Sequence, residues 1–349
     1  MDSQGRNVNI LIVKLSAIGD VIHTLPSLAE LRLLYPEAHI TWVVEEAAAD
    51  LIKNHPQLDE VLVSRRKSWI RDIRKGKITQ PLKEIIALIK TLRQRNYDLV
   101  IDFHGLFKSS ILVLLSRGKR KLGYDSWQEL SGLFLNEKIP EDMNKHAVDR
   151  YLDFSRYLGG KAKRVRFVLP VNKEEEHRAQ ILLDKYHLEA GKFIAFNPVA
   201  LWETKLWDNK KFAHLADRIS NELHMKVVFT GAEKKSLEDI TSFMTTESIN
   251  LGGETTLPIL AYIYKKARMV VTTDSGPMHL AAAVDTPVLA IFGPTDPSRT
   301  GPYGAGHTVI RSTEDCSPCF LKKCPQKKCM DHITSEQVFT AVQKMIKED

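Results

Sequence analysis

Short apolar, β-branched segments alternate with helical patterns along the whole chain, and this alternation constrains the fold more than any other feature of the sequence. It is typical of parallel α/β layers rather than of a β-sandwich. Strands are predicted at Asn9–Leu15, His39–Val44, Glu60–Val63, Leu99–Phe103, Arg166–Leu169, Phe193–Asn197, Lys226–Thr230, Met269–Thr273 and Val288–Phe292. Helices are predicted at Val21–Leu34, Leu82–Arg95, Ala147–Leu158, Glu174–Tyr186, Lys210–Leu223, Leu257–Lys265, Pro277–Val284 and Ser335–Ile346.

The length of 349 residues indicates two domains, because a single hydrophobic core rarely grows beyond roughly 250–300 residues. The pattern repeats on either side of Pro170–Lys173. We therefore expect two doubly wound, Rossmann-like domains, residues 1–170 and 171–349. Parallel sheets bind ligands at the carboxyl ends of their strands, and we expect these ends to face a central cleft.

The excess of positive charge is confined to the first domain. The chain has a net charge of +7, to which residues 1–170 contribute +8 and residues 171–349 contribute −1. Segment Ser64–Lys77 holds seven basic residues and one acidic residue. This predicts an anionic partner, with a solvated basic loop as the alternative. Because the sequence shows neither an apolar run of roughly 18 residues nor a leader pattern, we expect a cytoplasmic protein.

The first candidate site directly follows the first strand, in the segment Lys14–Pro26 (KLSAIGDVIHTLP). Gly19 allows the backbone to approach a ligand closely, and Asp20 offers a carboxylate at the ligand-binding edge of the sheet. The alternative is an aspartate that only stabilises the first turn of a helix. The dinucleotide-binding pattern G-x-G-x-x-G is absent from this loop.

The second candidate site, Thr273–His279 (TDSGPMH), also lies between a strand and a helix. Asp274 or Ser275 can cap the helix, and its free amides form a pocket for an anion such as a phosphate. The alternative is a helix cap with a core-facing His279.

Loops after two other strands of the second domain carry charged residues. Lys205 follows the strand that ends at Asn197, and it can neutralise a leaving diphosphate. Glu233 follows the strand that ends at Thr230, and it can bind ribose hydroxyls. A solvated side chain is the alternative for Lys205.

All four cysteines lie in one Pro- and Lys-rich loop, at the spacing C-x2-C-x4-C-x4-C: Cys316, Cys319, Cys324 and Cys329. The spacing is similar to that of a zinc knuckle. Disulfides are not expected in a reducing compartment, so the alternatives are a structural zinc site and four free thiols that order a loop. Confinement to one loop favours a structural role over a catalytic one.

Together these motifs resemble those of the bacterial lipopolysaccharide heptosyltransferases, which have the GT-B glycosyltransferase fold. The resemblance rests on KLSAIGDVIHTLP, on DSGPMHLAAAVDTPVLAIFGPTDP at Asp274–Pro297, and on shorter matches at Val43–Glu46, Asp102–Ser109 and His146–Arg150. It covers nearly the whole chain and looks most like heptosyltransferase I, which adds the first heptose to Kdo.

The resemblance implies inverting transfer of L-glycero-D-manno-heptose from ADP-heptose to the Kdo region of lipid A, without a metal or other cofactor, at the cytoplasmic face of the inner membrane. Asp20 matches the general base, and Lys205 matches the lysine near the donor phosphates. The residues assigned to the donor are Gly19, Glu233, Asp274, Ser275, Gly276 and His279. The residues assigned to the acidic acceptor, Kdo2-lipid A, are Arg65, Arg66, Lys67, His104, Lys108, His146 and Arg150.

Two alternative functions remain open on the sequence. A second-heptose transferase of the same family, similar to heptosyltransferase II, would differ in its acceptor. A nucleic-acid-binding protein would use Ser64–Lys77 and a cysteine knuckle. The cysteine loop argues against it, because it carries only Phe320 instead of the aromatic pair that stacks on bases.

Overall fold

The computed structural model describes residues 8–126, 128–161 and 164–347. The chain divides into two compact units, Met1–Pro170 (unit 1) and Val171–Asp349 (unit 2). Each unit is built on one parallel six-stranded sheet with helices between successive strands. The α/β fold expected from the sequence is therefore confirmed.

The sheet of unit 1 has the strand order β3-β2-β1-β4-β5-β6. Its strands are β1 (Asn9–Val13), β2 (His39–Glu45), β3 (Glu60–Ser64), β4 (Leu99–Asp102), β5 (Arg120–Tyr124) and β6 (Glu137–Ile139). Its helices are α1 (Ile18–Leu34), α2 (Arg66–Arg74), α3 (Thr79–Leu92), α4 (Phe107–Leu115) and α5 (Ala147–Tyr157), with 3₁₀ segments at Glu46–Leu51 and Gln128–Phe134. Ile12 of the central strand pairs with Trp42 and Ile101, and all three are fully buried.

The sheet of unit 2 has the strand order β12-β11-β10-β7-β8-β9. Its strands are β7 (Phe193–Asn197), β8 (Lys226–Phe229), β9 (Ile249–Asn250), β10 (Met269–Thr273), β11 (Val288–Phe292) and β12 (Thr308–Arg311). Its helices are α6 (Lys173–Lys185), α7 (Asn209–Leu223), α8 (Lys235–Thr241), α9 (Leu257–Lys266), α10 (Gly276–Ala283), α11 (Pro297–Thr300), α12 (Lys328–Asp331) and α13 (Ser335–Lys347), with a 3₁₀ segment at Glu203–Lys205. Val338 and Phe339 of the last helix belong to the core of this unit.

One predicted strand of unit 1 is wrong, and one alternative considered for its basic segment does not hold. Residues 166–169 form no strand, and the carbonyl of Val168 instead accepts a hydrogen bond from His55 at 2.9 Å. The basic segment Ser64–Lys77 is not a loop, because Arg66–Arg74 form α2. Trp69 anchors this helix: its side chain is buried.

No helix among the described residues is long and apolar enough to cross a membrane.

Candidate active site

Each sheet reverses its strand order at one point, between β1 and β4 in unit 1 and between β10 and β7 in unit 2. Loops that leave adjacent strands in opposite directions open a crevice there, and α/β proteins bind ligands in that crevice. Predicted site residues follow all four of these strands. These residues are Gly19 and Asp20 after β1, His104 and Lys108 after β4, Lys205 after β7, and Asp274, Ser275, Gly276 and His279 after β10.

Asp20 lies in the first turn of α1, and its carboxylate accepts two hydrogen bonds. The backbone N–H of Ala17 donates to Oδ2 at 3.0 Å, and the hydroxyl of Tyr151 donates to Oδ1 at 3.2 Å. Burial alone would raise the pKa of Asp20, but the charge of Lys14 and these hydrogen bonds outweigh burial and lower the pKa below its usual value. Asp20 is therefore an anion at neutral pH.

Lys14, the first residue after β1, supplies the positive charge that stabilises this anion. Its side chain is buried, and its ammonium donates to the hydroxyl of Tyr151 at 2.6 Å and to the carbonyl of Phe103 at 3.0 Å. Burial lowers the pKa of Lys14, and the negative charges of Asp20 and Asp102 oppose that shift. Lys14, Tyr151 and Asp20 thus form a continuous chain of polar contacts.

Lys14 and Tyr151 were not predicted as site residues. A signal for Lys14 was available, because a lysine directly after a buried apolar strand needs a polar partner. Tyr151 gave no such signal, since an aromatic residue inside a helix is ordinarily part of a core.

His104 places an uncharged imidazole at the same edge of the sheet. Burial and the charges of Lys14 and Lys108 lower the pKa of His104 to about 3. The carboxylate of Asp102 holds the loop by accepting the backbone N–H of His104 at 2.9 Å. Within the described part of the chain, neither ring nitrogen of His104 has a hydrogen-bond partner. Both nitrogens are buried, so a hydrogen bond from this ring to a substrate hydroxyl stays a prediction.

The carboxylate of Glu45 forms ion pairs with three of the predicted acceptor-binding cations. This carboxylate is buried at the end of β2, and its Oε1 lies 3.3 Å from Nζ of Lys108 and 3.1 Å from Nε of Arg66. Nζ of Lys67 lies 3.9 Å from Oε2. Lys108 also donates to the hydroxyl of Ser16 at 3.0 Å. Glu45, which was not predicted, therefore positions Lys108 and Arg66 beside the loop that carries Asp20.

The other predicted acceptor residues have structural partners. Arg65 forms ion pairs with Glu46 and Glu84 on the surface. His146 caps α5, and its Nδ1 accepts a hydrogen bond from the backbone of that helix at 3.2 Å. Arg150 is buried and donates to Glu141 at 2.6 Å. A contact of Arg65, His146 or Arg150 with an acceptor stays a prediction.

In unit 2, Lys205 and Asp274 form a salt bridge with 2.6 Å between Nζ and Oδ2. The hydroxyl of Thr295 donates to the same oxygen at 2.6 Å. Asp274 is buried, and the ammonium of Lys205 also lies 4.5 Å from the centre of the Trp202 ring. Lys205 is thus held by protein contacts and is not a freely solvated lysine.

Ser275 occupies the N-cap position of α10, but its side chain makes no capping hydrogen bond to the helix. Its hydroxyl contacts Asn197 instead, at 3.4 Å. Pro277 has no N–H, and the N–H of Met278 donates to the carbonyl of Ser275 at 3.2 Å, so Gly276 supplies the N–H that an anion would meet at the start of α10. His279 is buried on the same helix.

The remaining donor-binding predictions lie in different places. Glu233 is exposed in the loop between β8 and α8 of unit 2. Gly19 lies next to Asp20 in unit 1. The donor contacts of both residues stay predictions.

The cysteines form no disulfide, and no three Cys, His, Asp or Glu side chains in the described ranges are arranged to hold a metal ion. The zinc site that the spacing allowed stays a prediction. Cys329 is buried in α12, whereas Cys316 is exposed. Burial raises the pKa of Cys329, and backbone N–H groups lower that of Cys324.

The cysteine loop packs against the loop that carries Thr295, the partner of Asp274, and against the loop that carries Lys205. The carbonyl of Pro294 accepts the backbone N–H groups of Cys319 at 3.0 Å and Phe320 at 2.8 Å. On the other side, the hydroxyl of Thr204 donates to the carbonyl of Leu321 at 2.7 Å. The loop is thus a structural support of this site.

Comparison with known proteins agrees with this architecture. Residues 85–330 match the model of glycosyltransferase family 9 (heptosyltransferase). Lipopolysaccharide heptosyltransferase 1 of Escherichia coli (strain K12) is 30% identical over 320 residues, covering 88% of this chain and 95% of that protein. The glycosyl transferase family 9 structure from Veillonella parvula DSM 2008 superposes with a TM-score of 0.79 at 26% identity, covering 98% of both chains. The E. coli heptosyltransferase WaaC with ADP superposes with a TM-score of 0.77 at 26% identity, covering 97% of this chain and 100% of that one.

Two parallel α/β units and superposition over nearly the whole length define a glycosyltransferase of the GT-B class. Within that class, the chain belongs to glycosyltransferase family 9, the lipopolysaccharide heptosyltransferases. The fold class and the family inferred from the sequence are confirmed.

Proposed function

We propose that the chain transfers L-glycero-D-manno-heptose from ADP-heptose to the Kdo region of lipid A, with inversion, as a heptosyltransferase I. The observation that carries the proposal is the carboxylate of Asp20, kept ionised by Lys14 and Tyr151 at the ligand-binding edge of unit 1. Inverting transfer needs such a base on the acceptor side, because the acceptor hydroxyl must lose its proton as it attacks.

In the proposed reaction the acceptor oxygen forms a bond to the anomeric carbon from the face opposite the diphosphate. The bond from that carbon to the diphosphate oxygen breaks, and its electron pair leaves with ADP. The hydroxyl proton passes to Asp20. The neutral ring of His104 offers a further hydrogen bond to the acceptor.

Positive charge in unit 2 suits the departing diphosphate. The ammonium of Lys205 and the N–H of Gly276 both follow strands at the switch point of the sheet, and such groups stabilise developing negative charge. We therefore propose a reaction without metal or cofactor. Full activity after exhaustive treatment with a chelator is the expected result, and its loss with recovery on adding a divalent cation would contradict it.

The acidic acceptor fits the cationic unit 1. Kdo carboxylates and lipid A phosphates match Arg66 and Lys108, which Glu45 holds beside Ser16. A lipid acceptor also implies a cytoplasmic enzyme in peripheral contact with the inner membrane.

The decisive test is Asp20→Asn, assayed with ADP-heptose and Kdo2-lipid A. The amide oxygen can still accept the N–H of Ala17, so the helix start is preserved, but the base is lost. We expect kcat to fall about a hundredfold or more with unchanged ADP affinity. Asp208→Asn, at the N-cap of α7, is the matched control and should keep its activity. Near-normal turnover by Asp20→Asn would refute the assigned role.

Acceptor choice separates the proposed function from its alternative. The wild-type chain should transfer heptose to Kdo2-lipid A but not to heptosyl-Kdo2-lipid A. The reverse preference would assign it to the second-heptose transferases.

A further inference from the structure

Helices α2 and α3 form a strongly basic surface, which we call the basic hairpin (Arg65–Arg95). Its 31 residues carry a net charge of +9. Glu84 ties the two helices together: it accepts the indole N–H of Trp69 at 2.7 Å and pairs with Arg65 at 3.3 Å. The hairpin is therefore an ordered surface and not a loose basic tail.

Exposed aliphatic side chains lie among these charges. Ile78, Leu82 and Ile86 follow one another at intervals of four residues, so they form one stripe along α3. They are 58%, 52% and 44% exposed. Lys83 and Lys90 are exposed on the same helix.

Helix α2 shows the same combination. Ile70 and Ile73 are 38% and 44% exposed, and each is followed directly by an exposed arginine, Arg71 and Arg74. Solvent-facing positions of a solvated charged helix are usually polar, so repeated aliphatic residues at these positions require another explanation.

The next helix, α4, also exposes apolar side chains. Leu92 of α3 and Val113 of α4 pack in one core cluster with Val13, which places both helices on the same face of the sheet. The opposite side of α4 exposes Phe107 and Ile111, 49% and 40%.

We propose that the basic hairpin docks on an anionic lipid bilayer. Aliphatic side chains flanked by lysine and arginine fit the interface of such a bilayer, since the apolar groups enter the headgroup–acyl boundary while the cations meet lipid phosphates. The biological role of this docking rests on the proposed function, because a lipid acceptor is presented at a membrane. A single nucleic-acid strand fits less well: strand-binding surfaces stack bases on aromatic residues, and the one tryptophan of the hairpin is buried.

The test is co-sedimentation of the full chain with vesicles that contain no lipopolysaccharide. Wild type should bind mixed phosphatidylcholine–phosphatidylglycerol vesicles at least tenfold more tightly than phosphatidylcholine alone. The triple variant Ile78→Ser/Leu82→Ser/Ile86→Ser should bind the mixed vesicles at least tenfold more weakly than wild type. The matched control, Ile181→Ser/Leu201→Ser, changes aliphatic residues of unit 2 that are 51% and 94% exposed, and it should bind like wild type.

Charge is tested separately with Arg71→Gln/Arg74→Gln/Lys75→Gln, which should also weaken vesicle binding at least tenfold. Wild-type affinity in the serine triple variant, or equal binding to neutral and anionic vesicles, would overturn the proposal. Single-stranded DNA that binds wild type and the serine variant equally and displaces both from vesicles would overturn it in favour of a purely electrostatic nucleic-acid surface.

Failure of docking and failure of the proposed function give different results. With a detergent-dispersed Kdo2-lipid A acceptor, the serine triple variant should keep wild-type turnover, because none of its changed residues belongs to the proposed catalytic or binding groups. Vesicle binding by a wild-type chain that transfers no heptose would leave the docking surface intact and refute the function alone.

Discussion

At the scale of single residues, the buried cation Lys14 controls the charge of Asp20. Replacing it by methionine keeps the length of the side chain and removes its charge. We expect the pKa of Asp20 to rise in Lys14→Met, because the largest influence that lowers it is lost while burial still raises it. The acidic limb of the kcat–pH profile should therefore move to higher pH, with activity near its optimum at least roughly tenfold lower. An unshifted acidic limb in a folded variant would show that Lys14 does not act on the base.

The buried imidazole of His104, in the same site, makes the stability of unit 1 depend on pH. Its pKa is about 3 in the folded chain and roughly 6.5 when unfolded, so between these values the unfolded chain binds the additional proton. Stability should thus decrease as the pH falls below about 6.5, and His104→Gln should remove this contribution. Between pH 7.5 and pH 5.5, the free energy of unfolding of unit 1, measured by urea titration, should fall by about 1.4 kcal/mol less in the variant than in wild type. His177→Gln, on the exposed face of α6, is the control, and identical pH dependence in wild type and His104→Gln would contradict the expectation.

The pair formed by Lys205 and Asp274 can be tested with a double-mutant cycle. Lys205→Met removes the cation beside the buried carboxylate of Asp274, which keeps the hydrogen bond from Thr295 at 2.6 Å, so we expect a loss of roughly 3 kcal/mol in the stability of unit 2. Asp274→Asn removes the charge, and the double variant should lose clearly less than the sum of the two single losses. Additive losses would mean that the two side chains do not interact.

At the scale of elements, the absence of a side chain at Gly293 lets α12, with Cys329 and Met330, pack closely against the loop after β11. A Cβ atom at this position would lie 2.5 Å from Sδ of Met330 and 3.2 Å from Sγ of Cys329, and Met330 is fully buried. We expect Gly293→Ala to destabilise unit 2 by about 1–3 kcal/mol, since the core must move to make room. Gly231→Ala, where the new atom meets its nearest neighbours at 3.4 Å and beyond, should change stability by less than about 0.5 kcal/mol. Equal stabilities of the two variants in thermal unfolding would rule out this packing argument.

The elements that the sequence predicted are those whose burial gives a strong periodic pattern. Strands β1 and β10 are buried apolar runs, and they were placed within two residues of their observed ends. Strands away from the centre of each sheet were missed: β5, which lies next to the edge, reads RKLGY, and the edge strand β9 has only two residues, so neither carries a distinct apolar pattern. Residues 166–169 had a suitable composition but no sheet partner.

In the candidate site, too, local features could be predicted from the sequence and contacts between distant residues could not. Loops after buried strands could be located from the sequence, because strand ends and turn residues are local features. The contacts of Lys205 with Asp274, and of Lys14 with Tyr151, join residues that are far apart in the chain. Such pairs depend on strand order, which local patterns do not encode. Glu45 illustrates the result: its motif was recognised, but its role in holding Lys108 was not.

At the scale of the whole molecule, positive charge and proposed substrates are divided in the same way. Unit 1, with a net charge of +8 over residues 1–170, holds the groups proposed for the acidic lipid acceptor. Unit 2, with −1, holds those proposed for the nucleotide sugar. Part of the charge of unit 1 is already neutralised, since Arg66 pairs with Glu45 and Arg65 with Glu84. Removing these arginines would also remove ion pairs that hold Glu45 and Glu84, so they are poor probes of long-range attraction.

Exposed lysines of α3 are better probes. Attraction between a cationic unit and an anionic acceptor is screened by salt, so kcat/KM for the acceptor should fall several-fold between about 50 and 200 mM NaCl, while kcat/KM for ADP-heptose changes less than about twofold. Lys83→Gln/Lys90→Gln should flatten the salt dependence for the acceptor. Lys265→Gln/Lys266→Gln, two neighbouring lysines in the last turn of α9 in unit 2, remove the same charge and should leave it unchanged. Equal flattening by both pairs would mean that the net charge of the chain, and not its concentration in unit 1, governs acceptor capture.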